Sequence, residues 1–262
     1  MNLSACWFAF AGIFQRELLR FVHQRTRFLS ALVRPLLWLA VFAAGFRAAL
    51  GISIIPPYET YITYEVYIAP GLAAMVLLFN AMQSSLSMVY DREMGSMRVL
   101  LMSPLPRWYL LLSKLVASAL VSIPQVYAFL GIAWFFDVQP PLVGFVWVAP
   151  TLLLGGVLLG AIGLFISSFV RQLENFAGVM NFVIFPMFFM SSALYPLWKM
   201  QESSEWLYWL CSINPFTFCV ELIRFALYGQ FNGLALAVVS GCLATFTLLA
   251  VLAFNPQRGA MR

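Results

Sequence analysis

Long apolar runs with very few charged residues recur along this chain, and they constrain its fold more than any other feature. A hydrophobic content of 63% and a mean hydropathy of +0.89 leave too little polar surface to cover a water-soluble domain. Six runs are close to or above the roughly 20 helical residues that cross a hydrocarbon core about 30 Å thick. They lie at 32–54, 67–89, 110–136, 142–170, 176–194 and 234–254. Because no alternating strand pattern supports a barrel, we expect an all-α integral membrane protein with six transmembrane helices.

The distribution of cations predicts how the chain crosses the membrane. If both termini lie inside, twelve of the fifteen Lys and Arg residues face the cytoplasm, the side on which cations are retained. Four of the ten acidic residues then lie inside and six outside. The net charge of +5 is therefore explained by topology, and we expect no nucleic acid partner.

The N-terminal segment, residues 1–27, is predicted to form an amphipathic helix along the cytoplasmic face of the membrane. Its apolar residues recur three and four positions apart, and polar residues fill the other side. The apolar set is Trp7, Phe10, Phe14, Leu18, Phe21 and Val22, and the polar set is Gln15, Arg16, Arg20, His23 and Gln24. We expect the basic residues to face anionic headgroups of the membrane lipids. A signal peptide is not expected, because no cation precedes the apolar stretch.

The sequence lacks the residues that common catalytic sites need. Its two lysines, Lys114 and Lys199, are followed by Leu and Met, which excludes a phosphate-binding loop ending in Gly-Lys-Ser or Gly-Lys-Thr. With a single histidine, His23, neither a His-based metal site nor a Ser-His-Asp relay can be assembled. Cys211 and Cys219 could pair if the fold brought them together, but we expect structural thiols. The sequence therefore predicts no enzyme and no cofactor bound by this chain.

A short charged segment joins the second and third apolar runs. It is predicted to begin as a short amphipathic helix and to stop at Pro104 and Pro106, because proline cannot continue a helix. Its residues are Asp91, Arg92, Glu93, Gly95, Met97, Arg98, Val99, Leu100 and Leu101. A solvated turn would need only polar residues, whereas this segment places apolar side chains beside charges of both signs. That pattern favours docking into a groove of a soluble partner.

Three motifs give the chain its resemblance to the permease subunits of ABC-2 type exporters. They are YIAPGLAAM at the start of the second run, DREMGSMRVLLMSPLPRWYLLLSK after it, and NPFTFCVELIRFALYG before the last run. The resemblance implies that residues 91–101 form a coupling helix that contacts a separate ATPase subunit, which would bind ATP and magnesium. It also implies two permease and two ATPase copies in a bacterial inner membrane, and export of an amphipathic or glycan/lipid-type substrate.

The same resemblance implies one ABC-2 transmembrane domain over residues 1–262. Residues 28–194 would contain spans one to five, residues 195–233 an external re-entrant or interfacial region, and residues 234–254 the sixth span. A second cytoplasmic contact with the ATPase would lie at Arg171 and Glu174, between spans four and five. Polar residues are also expected at any tight turn, so both interpretations of this site stay open.

The second run carries a polar stripe, which should point away from lipid because its residues lie on one helical face. The stripe consists of Asn80, Gln83, Ser84 and Ser87. It either lines a substrate path or forms interhelical hydrogen bonds. Arg47, inside the first run, either snorkels outward or faces such a path.

A small-residue surface for helix packing is predicted on the fourth run, at Gly156, Gly160 and Gly163.

The region before the last span is too apolar for a free loop and carries the start signals of a helix. Asn214 is predicted to cap a helix whose first residue is Pro215. Within that helix Glu221 and Arg224 are three positions apart and can form an ion pair. The residues Trp198, Trp206, Tyr208 and Trp209 suit the membrane interface. The resemblance implies that this region closes the pathway outside, and interfacial anchoring is compatible with that role.

Two other functional classes compete with the export permease. A secondary carrier or channel without an ATPase partner would need a charged relay inside the spans, and Arg47 comes closest to supplying one. A membrane-embedded enzyme would need clustered His, Asp or Glu at one membrane face. The acidic residues of this chain are scattered instead, which favours the permease.

Overall fold

The computed structural model describes residues 3–23, 25–46, 56–58, 62–95, 105–170 and 172–253. Almost all of these residues are helical, so the expected all-α class is confirmed. The helices are α1 (Leu3–His23), α2 (Arg25–Phe46), α3 (Tyr64–Glu93), α4 (Arg107–Ala133), α5 (Leu142–Phe169), α6 (Leu173–Phe189), α7 (Leu197–Ser203), α8 (Glu205–Ile213), α9 (Pro215–Leu227) and α10 (Gly233–Ala253). A 3-10 turn, Trp134–Phe136, extends α4.

Four helices are long and apolar enough to cross a membrane: α3, α4 together with its 3-10 extension, α5 and α10. The pair α8 and α9 would make a fifth crossing, but it is bent by 75°. The fifth predicted span is shorter than expected, since α6 has 17 residues. The described apolar part of α2 covers Ala31–Phe42, and the predicted first span continues to residue 54, outside the described residues. The structure therefore shows a multi-pass membrane protein. By length and composition, the described helices supply four or five such crossings, and the predicted count of six is not confirmed.

The helix α3 lies at the centre of the bundle. Of its most apolar 18-residue window, 83% is buried, against 17% for α10, which lies at the periphery. It packs against α2, α4, α5, α6 and α9. The predicted small-residue surface on α5 allows close approach: a Cβ on Gly156 would lie 3.0 Å from the Cβ of Ala119, and a Cβ on Gly163 would collide with Ser85. Helix packing at these glycines is thus confirmed.

The two ends of α3 define the two ends of the bundle. We call the end where α3 stops and α4 starts the basic end, and the end where α3 starts the aromatic end. The structure continues α3 to Glu93, beyond the predicted end of the second span at residue 89. Asp91, Arg92 and Glu93 therefore form the last turn of α3 rather than the start of a separate helix. Their side chains are held by neighbouring helices, which extends the helical segment.

The helix α1 turns part of its polar face toward the bundle. Its residue Trp7 is 66% exposed, while Glu17 is buried against the bundle with 7% exposure. The helix packs mainly on α4, and Arg16 and Arg20 bind the carboxylate of Asp91. The expectation that the basic residues face lipid headgroups is wrong for these two arginines. A carboxylate buried at the end of α3 needs a counter-charge, and Arg16 and Arg20 supply it.

Candidate functional site

Charged side chains from three helices meet at the basic end around one carboxylate. We call them the Asp91 cluster: Arg16, Glu17 and Arg20 of α1, Asp91 of α3 and Lys114 of α4. The Oδ1 atom of Asp91 accepts hydrogen bonds from the Nη2 atoms of Arg16, at 2.9 Å, and Arg20, at 3.3 Å. Its Oδ2 atom accepts one from Nζ of Lys114 at 3.2 Å. Asp91 is 3% exposed and Lys114 is 4% exposed, so each depends on the other for charge compensation.

The two residues after Asp91 bind the turn between α5 and α6. Nη2 of Arg92 donates to the carbonyl oxygens of Ser167, at 2.9 Å, and Val170. Oε2 of Glu93 accepts from the backbone N–H of Leu173, the first residue of α6, at 3.3 Å. A cation thus satisfies carbonyls at the end of one helix, and an acid satisfies an N–H at the start of the next. Two residues of the first predicted contact segment, Arg92 and Glu93, therefore lie against the turn that leads to Glu174 of the second predicted contact.

The remaining predicted contact residues differ in how far the structure describes them. Gly95 follows α3 with φ +73°, a left-handed conformation that glycine adopts without strain. Glu174 is exposed on the first turn of α6. Met97, Arg98, Val99, Leu100, Leu101, Arg171 and also Arg47 lie outside the described residues. Asp91 directs its carboxylate into the protein, whereas Glu93 and Glu174 are placed where a partner can reach them.

The polar stripe on α3 faces a matching stripe on α4. Nδ2 of Asn80 donates to Oε1 of Gln125 at 2.5 Å, which is the interhelical hydrogen bond that one of the two interpretations predicts. The Ser87 hydroxyl instead donates to the carbonyl of Ser84 within α3. Sequence reasoning missed Gln125, which is completely buried. Its signal was present, because Lys114, Ser118, Ser122 and Gln125 recur at intervals of four, four and three residues.

A small polar cavity lies between these stripes and α1. Its volume is about 20 Å³, enough for roughly one water molecule. Its lining residues are Glu17, Phe21, Asn80, Ser118, Val121 and Ser122. Polar side chains therefore line the interface between α3 and α4 from the Asp91 cluster toward the middle of the bundle.

The aromatic end is organised around a buried arginine. We call Tyr58, Tyr67, Ser192, Glu221 and Arg224 the Arg224 cluster. Arg224 of α9 is 2% exposed and forms the predicted ion pair with Glu221. Its Nη2 donates to the carbonyl oxygen of Ser192 at 2.8 Å, and its guanidinium lies 4.1 Å from the ring centroid of Tyr67. The Tyr67 hydroxyl donates to the same carbonyl at 3.0 Å.

Two other residues complete this end. Oδ1 of Asn214 accepts from the backbone N–H of Phe216 at 3.0 Å, and Pro215 begins α9, so the predicted cap is confirmed. Nδ2 of Asn214 donates to the carbonyls of Met187 and Met190, which ties α9 to the end of α6. Burial raises the pKa of Tyr58 to about 12. Its hydroxyl therefore stays neutral beside Arg224 at physiological pH.

Neither cluster resembles a catalytic or metal centre. In the parts of the chain that the structure describes, no group of three or more His, Cys, Asp or Glu side chains could hold a metal ion. The four cysteines are free thiols. The clusters join helices to one another, which is an arrangement suited to transmitting or resisting movement rather than to chemistry.

The fold and its two clusters define a multi-pass helical membrane protein. At its basic end, Arg92 and Glu93 of α3 bind the turn between α5 and α6. Residues 9–228 match the family model for the ABC-2 type transporter, and the chain therefore belongs to this family. Membership makes it the transmembrane subunit of an ABC transporter, a permease that is not itself catalytic, and implies an ABC ATPase as partner.

Three relatives illustrate the similarity. The putative transport permease ycf38 of Cyanophora paradoxa is 28% identical over 200 residues, which cover 75% of this chain and 66% of the relative. The probable multidrug ABC transporter permease YbhR of Escherichia coli K12 is 30% identical over 164 residues, covering 61% and 44%. The inner membrane transport permease YadH of the same organism is 24% identical over 243 residues, covering 92% and 90%. The chain thus spans just under two thirds of ycf38 but most of YadH.

Proposed function

We propose that this permease belongs to an ATP-driven exporter, and that a separate ATPase drives it through the surface at the end of α3. The observation that carries the proposal is the bonding of Arg92 and Glu93 to the turn between α5 and α6. A partner that displaces the 91–101 segment would therefore move three helices at once. Packed helices transmit such displacements because they shift as rigid bodies.

The helix α3 provides a route from this surface to the aromatic end. It rises about 1.5 Å per residue, so Tyr67 and Arg92 are separated by about 38 Å along its axis. At the far end Tyr67 binds both Arg224 and the carbonyl that Arg224 binds. Movement of α3 would therefore act directly on α9, which supports the role of Asn214, Pro215, Glu221 and Arg224 as an external gate.

The orientation and assembly follow from the same proposal. The basic end would face the cytoplasm together with both termini, as the distribution of cations predicts. The working exporter would contain two permease copies, as a homodimer, and two ATPase copies that bind ATP and magnesium. The membrane would be a bacterial inner membrane, which is consistent with the name of the relative YadH, an inner membrane transport permease.

We propose as the substrate an amphipathic or glycan/lipid-type molecule that moves out of the cytoplasm. The name of the relative YbhR, a probable multidrug permease, is consistent with an amphipathic substrate. A carrier without an ATPase partner is the alternative that the experiment must distinguish.

Reconstitution in proteoliposomes tests the proposal. The permease is incorporated with its co-purifying ATPase, and two probes are followed: a fluorescent amphipathic cation and a fluorescent short-chain phospholipid. We expect movement of at least one probe that requires both ATP and the ATPase. An ATPase inactivated in its catalytic carboxylate serves as control. Movement at the same rate without the ATPase would support the carrier and contradict the exporter.

A matched pair of charge reversals tests the docking surface. Glu93→Lys removes the acid that binds α6 and reverses charge at the surface, whereas Glu202→Lys reverses an exposed acid on α7 at the opposite end. We expect Glu93→Lys to lower the number of probe molecules moved per ATP at least about fivefold, as for a coupling energy of about 1 kcal/mol. Glu202→Lys should leave this ratio unchanged. Equal ratios in both variants would remove the docking role of Glu93.

A further inference from the structure

The carboxylate of Asp91 is shared between two helices that reach it from different sides. Its Oδ2 atom is bound by Lys114 of α4, and its Oδ1 atom is bound by Arg16 and Arg20 of α1. Lys114 is buried and has little freedom to leave. The side chains of the two arginines are 39% and 20% exposed. The carboxylate is thus fixed on the α4 side and offers its second oxygen to α1.

The other described contacts between α1 and the bundle include apolar packing, mainly on α4, and one hydrogen bond to a backbone carbonyl. Ile13 packs with Leu110 and Ala117 of α4 in a small apolar cluster. The Tyr109 hydroxyl donates to the carbonyl of Cys6 at 2.8 Å. The opposite face of α1 exposes apolar side chains such as Trp7, which suits contact with lipid. Apolar packing is non-directional, whereas the ion pairs join particular atoms, so we expect the ion pairs to fix the position of α1 on α4.

We propose that Asp91 is a positioning residue that fastens α1 to the α3–α4 hairpin, so that the three helices move as one body. The Asp91 carboxylate is therefore occupied inside the permease and is not a contact for the ATPase. The coupling consequence depends on the proposed function, because the ATPase supplies the movement. The fastening itself does not, and it can be measured in the permease alone.

Three variants test whether the ion pairs of Asp91, rather than apolar packing alone, hold α1 against α4. Asp91→Asn removes the shared negative charge and keeps the size of the side chain. Arg16→Gln combined with Arg20→Gln detaches α1 but keeps the pair between Asp91 and Lys114. Lys114→Met removes the α4 partner but leaves Oδ1 to the two arginines. The proposal predicts that the first two variants behave alike and that Lys114→Met keeps α1 attached.

The first measurement uses spin labels on the full-length permease in lipid nanodiscs. The four natural cysteines are replaced by alanine, and labels are placed at Gln15 of α1 and Arg107 of α4, both exposed. We expect one narrow distance distribution in the parent protein and in Lys114→Met. A second, longer distance should appear in Asp91→Asn and in the double arginine variant. A single unchanged distance in Asp91→Asn, or the same broadening in Lys114→Met, overturns the proposal.

The second measurement asks whether a covalent restraint replaces the ion pairs. In the background without the four natural cysteines, cysteines at the exposed positions Gln15 and Arg107 are joined by a bismaleimide in the complex with the ATPase, and hydrolysis of ATP per transported amphipathic cation is recorded. We expect Asp91→Asn to raise ATP use per cation several-fold and the cross-link to restore the parent ratio. Failure of the cross-link to restore it, or inhibition of the parent protein by the cross-link, contradicts movement as one body. A parent complex that moves only the phospholipid probe is measured with that probe. If it moves neither probe with ATP, the exporter proposal fails instead, and the spin-label result alone decides the fastening.

Discussion

The Asp91 cluster and the Arg224 cluster both bury a charge between helices, but they hold it in different ways. Among the described residues, three side-chain cations bind Asp91, and one of them, Arg16, keeps 39% of its side chain exposed. Arg224 is bound by one carboxylate, a backbone carbonyl and a tyrosine ring, and is 2% exposed. Ion pairs near water are screened by salt and can exchange partners, whereas a buried cation fixed to the backbone cannot. We therefore expect the basic end to rearrange readily and the aromatic end to resist rearrangement.

The largest expected effect is the loss of Arg224. Arg224→Met keeps an apolar stem but leaves Glu221 and the carbonyl of Ser192 without their cation. Removing one partner of a buried pair costs about 3–5 kcal/mol. We expect a large fall in the thermal unfolding midpoint of the purified permease, followed by tryptophan fluorescence. Arg224→Lys should fall in between, because an ammonium cannot reproduce the planar contacts.

The matched variant at the other end is Asp91→Asn, measured in the same way. Its arginine partners can turn toward water, and the amide oxygen of the new side chain can still accept a hydrogen bond from the buried Lys114. The loss of stability should therefore be smaller than for Arg224→Met. The quantity to compare is the fall in unfolding midpoint caused by Asp91→Asn against the fall caused by Arg224→Met. Equal losses would show that both clusters are fixed in the same way, and the comparison would fail.

Substitution of Asn214 should lower stability less than the loss of Arg224. Two variants separate its role as the cap of α9 from its role as a donor to the end of α6. Asn214→Asp keeps the oxygen that caps α9 but loses the N–H donors to Met187 and Met190. Asn214→Ala loses both, including a cap worth about 1 kcal/mol. We expect both variants to lower the unfolding midpoint, and Asn214→Ala to lower it further. If Asn214→Asp matches the parent protein, the tie between α9 and α6 contributes nothing to stability.

Tyr67 tests which of its two contacts stabilises the aromatic end. Tyr67→Phe loses the hydrogen bond to Ser192, worth about 1 kcal/mol, but keeps a ring beneath the guanidinium of Arg224. Tyr67→Leu loses both contacts. Unfolding midpoints should fall in the order parent, Tyr67→Phe, Tyr67→Leu. A midpoint for Tyr67→Leu equal to that of Tyr67→Phe would show that the ring contact is not stabilising.

A rise in salt concentration should change stability least of all. It should still distinguish the two ends, because the cations of α1 in the Asp91 cluster are partly exposed whereas Arg224 is buried. Raising the ionic strength about tenfold shortens the Debye length about threefold. We expect the distance distribution between labels at Gln15 and Arg107 to broaden, because the arginines of α1 are partly exposed. The ring contact between Tyr67 and Arg224 lies inside the protein, so the fluorescence unfolding midpoint should change little. A salt-independent distance distribution would contradict the mobile character of the basic end.

The sequence predicted the features that depend on neighbours along the chain. The cap at Asn214 and the pair between Glu221 and Arg224 follow from positions two or three residues apart, and both are confirmed. The long spans also follow from local composition, and α3, α4, α5 and α10 appear where the apolar runs predict them. The close contacts at Gly156 and Gly163 are confirmed for the same reason, since small residues on one face permit close approach.

The features that depend on distant residues could not be predicted. Arg16 and Asp91 are 75 positions apart, and Asn80 and Gln125 are 45 apart, so no local rule connects them. The amphipathic pattern of α1 gives two faces but not which face meets the bundle, and the buried carboxylate of Asp91 decides that. The local sequence predicts a separate helix from Asp91 onward, because it does not show the distant partners of these residues. Asp91 is bound by α1 and α4, and Arg92 and Glu93 bind the turn between α5 and α6.

The central claim is that the ATPase engages the basic end of the permease where α3 stops. A photoreactive amino acid at Met94, which follows α3 and is 64% exposed, tests this directly when the complex is irradiated in membranes. The matched position is Trp206 on α8, which is 81% exposed at the other end. The account predicts a covalent adduct with the ATPase from Met94 and none from Trp206. An adduct from Trp206, or none from Met94 in an active complex, would contradict it.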